Sequence, residues 1–86
     1  MTGGRRPAPD AAEAERYLRR ALTLARASQA KSLELRAATS MARVWEARGR
    51  PADARRLLAG ICAWFGARTD GADLAEARAL LGQMRK

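Results

Sequence analysis

The chain has 86 residues, 48% of them hydrophobic, with 17 Lys and Arg against 9 Asp and Glu and a formal net charge of +8. That length bounds it to one small domain with a limited core. Alanine and arginine dominate and β-branched residues are scarce, so the composition favours helix. The longest apolar or small run, Leu57 to Phe65, is far too short to span a bilayer.

Met1 to Pro9 holds Gly-Gly-Arg-Arg-Pro-Ala-Pro, which buries nothing and is expected to be a disordered tail. Arg5-Arg6 is followed by Pro7-Ala8-Pro9-Asp10 rather than an apolar region, so it does not make an export signal. A first helix is predicted near 10–28. Asp10 and Glu13 form a capping-box-like pair at its start. Ala14, Tyr17, Leu18, Ala21, Leu22 and Ala25 form its apolar stripe. Glu15 can pair with Arg19 one turn on, and Arg16, Arg20 and Arg26 lie on the other side.

A second helix is predicted near 32–48, with Ala38, Met41, Ala42 and Trp45 at helical spacing. Gly49 stands just past it, where left-handed dihedrals are needed. Pro51 suits the first position of a third helix near 51–65. Asp53 there favours the positive end of the helix dipole. Ala54, Leu57, Leu58, Ile61, Cys62 and Phe65 form the third stripe. A turn this short makes the two helices antiparallel. A fourth helix is predicted near 70–85. Asp70 and Asp73 begin it, and Leu74, Ala77, Leu81 and Met84 form its stripe with Leu80 beside them. Gly82 weakens its last turn. The fold class is therefore all-α, an antiparallel stack of about four helices. Its expected core is Leu18, Met41, Trp45, Leu58, Ile61 and Phe65.

The residues from Glu34 to Gly66 resemble a tetratricopeptide repeat, a 34-residue helix pair. Gly49 matches the turn glycine. Ala38, Met41, Ala42 and Trp45 match the large, leucine, small and aromatic positions of the first helix. Ala54, Leu58 and Ile61 match the alanine, aromatic and alanine positions of the second. Ala38 is small where an aromatic is usual, Ile61 is bulky where alanine is usual, and Gly66 stands where proline is common. Ala14, Leu18 and Ala21 resemble the second helix of a preceding repeat. From Ala14 to Ala54 is 40 residues, six more than the period, which suggests an extra turn or a loop around Ser28 to Ser32. The last helix, out of register, reads as a terminal cap. The run from Glu15 to Phe65, followed by Asp73 to Leu81, is similar to the C-terminal end of bacterial multidomain regulators. In those, an ATPase and a helical-repeat region follow a nucleotide-cyclase or DNA-binding module. The catalytic modules are missing, so the resemblance carries no activity.

A direct search for chemistry agrees with a non-catalytic reading. The chain has no histidine, the commonest general base and metal ligand. It contains no phosphate loop and no nucleophile elbow. Its carboxylates sit at helix starts or near arginines, as caps and surface pairs. No catalytic, cofactor or metal residue is expected. One cysteine makes no internal disulfide and points to a reducing, cytoplasmic setting. Cys62, between Leu58 and Phe65, reads as an inert core thiol.

On the second helix, Arg36, Thr39, Arg43 and Glu46 recur at three- and four-residue steps, away from the Ala38, Met41 and Trp45 stripe. The resemblance implies that these positions line a concave groove. Arg36 and Arg43 would suit a protein or peptide partner, an acidic one in particular. Self-association through an uncovered helix face is a further expectation. The rival reading is a basic helix-turn-helix DNA-binding protein, favoured by net charge and Arg55-Arg56. Against it, Arg48, Arg50 and Arg55 fall where that motif packs apolar side chains. The plainest account of the charge is a bias toward arginine, spread over solvated helix faces.

Overall fold

The computed structural model describes residues 11–66 and 71–84. They form four helices, α1 (Ala11–Ala27), α2 (Lys31–Ala47), α3 (Pro51–Phe65) and α4 (Ala72–Met84). There is no strand among the described residues. Each helix lies within two residues of its expected limits. The tail before Asp10, both expected cap residues Asp10 and Asp70, and Lys86 lie outside the described residues.

Backbone chemistry explains the stops. After α2, Gly49 takes φ 79°. Its N–H donates to the Glu46 carbonyl at 3.1 Å, and the Arg50 N–H to the Trp45 carbonyl at 2.8 Å. These two bonds are those of a Schellman cap, with Gly49 at the left-handed position. Pro51 then opens α3 at its first turn, where its missing N–H removes no helical bond.

The α1–α2 turn repeats that geometry without a glycine. Gln29 has φ 56°, and its N–H donates to Arg26 at 3.1 Å while that of Ala30 donates to Ala25 at 2.8 Å. No inserted loop lies at Ser28 to Ser32: α1 ends at Ala27 and α2 begins at Lys31, a connection as short as that between α2 and α3. The extra length over the 34-residue period lies in the helices, since α1 and α2 each run 17 residues. A left-handed residue with a Cβ carries a backbone cost of about 1 kcal/mol. Gln29→Gly is therefore expected to stabilise the fold by about 0.5–1 kcal/mol. A urea midpoint that rises at unchanged slope would show it; a falling midpoint would mean the Gln29 side chain contributes more than its dihedral costs.

Packing centres on α2. It contacts α1, α3 and α4, and α4 also contacts α3, whereas α1 packs on α2 alone. The core includes Leu35, Met41, Ala38, Ala42, Ala54, Leu58, Ile61, Cys62, Leu74 and Ala77. Met41 and Leu58 are its largest fully enclosed side chains. The expected core holds at Met41, Leu58 and Ile61. Leu18, Trp45 and Phe65 are instead half-buried at its margin. Leu18 sits on a helix with a single neighbour, and Phe65 is the last residue of α3. Trp45 packs on the margin of the core with the guanidiniums of Arg19 and Arg50 over its ring. Tyr17, expected on the α1 stripe, is 74% exposed. With one partner, α1 buries a narrow strip through Leu22 and Ala25, and Tyr17 falls beside it.

Cys62 is buried, as its place between Leu58 and Phe65 implied. Burial pushes its thiol up, with Arg78 opposing more weakly. A thiol held protonated in this way is a packing group.

Candidate functional site

Three of the four expected groove residues come together between α2 and α4, in a small recess of about 190 Å³. Arg36 and Arg43 stand two helical turns apart on α2, and both reach across to α4. Arg36 Nε lies 3.7 Å from Asp73 Oδ2, and Arg43 Nη1 lies 2.6 Å from Glu76 Oε2. All four side chains are about half exposed or more. Thr39 also lines the recess, but the residue is buried and its Oγ1 donates to the Leu35 carbonyl at 2.9 Å. Its hydroxyl is thereby engaged by its own helix. Glu46 is exposed and does not line the recess; the carboxylate facing Arg43 is Glu76.

Two cations against two carboxylates make this recess close to neutral. Exposed pairs of this kind contribute at most about 1 kcal/mol each, so an incoming carboxylate can take over a guanidinium from Asp73 or Glu76. Ser40 lines the same recess, and a chain without histidine offers it no imidazole base. The arrangement can exchange ion pairs. Among the described residues no group of three His, Cys, Asp or Glu side chains is placed to hold a metal ion.

A second charged region lies on the opposite flank of α2, and sequence reasoning missed most of it. Glu15 of α1 is 8% exposed. It accepts from Arg19 Nη2 at 2.6 Å and from Arg48 Nη1 at 2.7 Å, and Arg50 Nη1 lies 3.5 Å away. The guanidiniums of Arg19 and Arg50 stand 5.7 and 4.9 Å from the Trp45 ring centroid. The Trp45 Nε1–H is buried and meets no acceptor in hydrogen-bond geometry. It still lies near enough to Glu15 to favour the anion. Hydrogen bonding from Arg19, then the nearby indole N–H, outweighs the opposing push of burial; with the charges of Arg19 and Arg50, it lowers the Glu15 carboxyl to about 2. Only the Glu15–Arg19 pair, one turn apart, was legible in the sequence.

At the far end of the same flank Glu34 is also buried. It accepts from Arg26 Nε at 3.0 Å and Lys31 Nζ at 3.1 Å. Burial pushes its carboxyl up, and the bonds and charges of these two cations more than reverse that, leaving it lowered. Lys31 Nζ stands 4.8 Å from the Trp64 ring centroid. Comparison with protein-family models, curated proteins and solved structures finds no match.

Arg55 and Arg56 are both engaged within the fold. Arg56 pairs with Asp53, which also accepts from Arg50 Nε at 3.0 Å. Arg55 Nη1 donates to the Met84 carbonyl at 3.4 Å. Arg50 lowers the Asp53 carboxyl most, against a push from burial, and Arg56 adds to it. No helix among the described residues is long and apolar enough to cross a membrane.

Proposed function

We propose that the chain is a non-catalytic protein–protein interaction module of tetratricopeptide type, a regulatory or scaffolding segment like the C-terminal tail of bacterial signalling ATPases and cyclases. The observation that carries this reading is the α2–α4 recess. Arg36, Thr39 and Arg43, singled out by the repeat pattern, lie on one line of α2, and α4 closes over that line. The succession of short-turned helices, each packed on the one before, supports the same reading. Because Asp73 and Glu76 stand beside the two arginines, the recess suits a peptide carrying both signs of charge better than a wholly acidic one. Exposed Leu24 and Leu33, with Tyr17, are the apolar surface for self-association under the same proposal.

The DNA-binding alternative retains the net charge in its favour. The engagement of Arg56 by Asp53 and of Arg55 by Met84 counts against a free recognition helix. Capture of bacterial proteins on the immobilised chain, with and without nuclease, separates the two. The module reading expects capture to survive nuclease and to fall about tenfold in Arg36→Ala/Arg43→Ala, with helix content unchanged. Loss of all captured protein on nuclease treatment would refute it.

A further inference from the structure

α1 and α3 both lie against α2 without contacting one another. Between them runs a groove across the buried side of α2, with Trp45 at one end and Trp64 at the other. Its cations are Arg19, Arg26, Lys31, Arg50 and Arg56. Glu15, Glu34 and Asp53 offset three of them. Arg48 also pairs with Glu15 at the edge of the groove, so three positive charges are left over, in contrast to the balanced recess between α2 and α4. Arg19, Arg26 and Arg56 have side chains 58%, 56% and 75% exposed, so they can turn toward a ligand.

The groove also has an apolar depression. Leu57, Ile61 and the 54%-exposed Trp64 surround Gly60 on α3. A Cβ built on Gly60 would meet nothing within 4 Å, so the missing side chain leaves open space. Glycine in a helix interior costs stability relative to any ordinary residue, and packing does not require it here.

We propose that the α1–α3 groove is a docking surface for an acidic peptide segment that sets one apolar side chain beside Trp64 over Gly60. The surplus of three positive charges selects carboxylates, and the exposed indole supplies the large, rigid contact typical of binding anchors. Nucleic acid fits less well, because the carboxylates of Glu15, Glu34 and Asp53 stand among the cations and would face its closely spaced phosphates. The inference rests on the interaction-module reading in that its ligand is a protein segment, but it places that segment on the other side of α2 from Arg36 and Arg43.

The test is direct titration of the purified chain with a short dye-labelled peptide of Glu and Ser around a central Phe. Its counterpart with Gln for Glu and a labelled DNA duplex are titrated alongside. The Glu peptide should bind, weaken with salt, and bind at least about tenfold more tightly than the Gln peptide. Gly60→Gln fills the depression with a better helix former, and Trp64→Ala removes an exposed ring. Each should weaken binding about tenfold or more with helix content intact, while Arg36→Ala/Arg43→Ala should leave it unchanged. No binding of the Glu peptide, binding indifferent to Gly60→Gln, or tighter Trp64-dependent binding of the duplex would overturn the proposal. Failure of the module reading shows elsewhere, as protein capture abolished by nuclease, and is scored independently of these titrations.

Discussion

Leu58→Ala is expected to destabilise the fold by about 2–5 kcal/mol, the range for truncating an enclosed leucine. Leu58 is 0% exposed on α3 and belongs to the cluster that joins α2, α3 and α4. A domain of this size has a total stability of about 4–11 kcal/mol, at roughly 0.05–0.15 per residue. One methyl-bearing side chain therefore decides a large fraction of the folded population. Urea denaturation reads the change as a lower midpoint. Leu33, 55% exposed on the same α2, is the control, and Leu33→Ala should stay within about 0.5 kcal/mol. A Leu58→Ala shift that small would remove Leu58 from the core.

The second large effect is expected in acid. The Glu15 carboxyl sits at about 2 in the folded chain against 4.5 when free of its partners. A carboxyl lowered by folding contributes stability that is complete above its unfolded value and is lost as pH falls toward its folded one. Glu34 and Asp53 are lowered in the same direction. The fold should therefore hold above pH 4.5 and weaken progressively from there toward pH 2. Glu15→Gln should flatten that decline, because glutamine takes up no proton. Raised salt should shrink the difference between the two proteins, since the partner guanidiniums are 38% exposed or more. A wild-type profile matching that of Glu15→Gln across this range would mean that the arginines do not hold Glu15.

The helices were legible because their signals are local. Gly49 and Pro51 announce the α2–α3 turn by dihedral and missing donor, and Met41, Leu58 and Ile61 announce the core by period. The α1–α2 break was placed to within a residue, but nothing in the sequence marked Gln29 as its left-handed position. The recess was half legible: Arg36 and Arg43 share a face by spacing alone, but their partners Asp73 and Glu76 come from another helix. The Glu15 cluster was the least legible. Arg48 and Arg50 reach it from 33 and 35 residues away, and no periodicity within one helix encodes a meeting of that kind. Trp45 stays at the margin of the core with the guanidiniums of Arg19 and Arg50 over its ring, and Arg19 comes from another helix.

The packing of α1 on α2 alone bears on how the molecule breathes. α2, α3 and α4 touch in all three pairs, a closed triangle from which no member leaves without opening two interfaces. α1 has one interface to break, and Glu15 with Arg48 and Arg50 fastens its first half to the α2–α3 turn. Sub-global opening takes the route of least lost contact, so α1 should detach as a unit while the triangle persists. Amide protons of α1 should then exchange faster than those in the middle of α2 and α3, and the gap should widen in mild acid as Glu15 lets go. On that expectation α1 is a hinged flap over the face of α2 that carries Trp45 and Glu34, and acid should expose that face before the triangle unfolds.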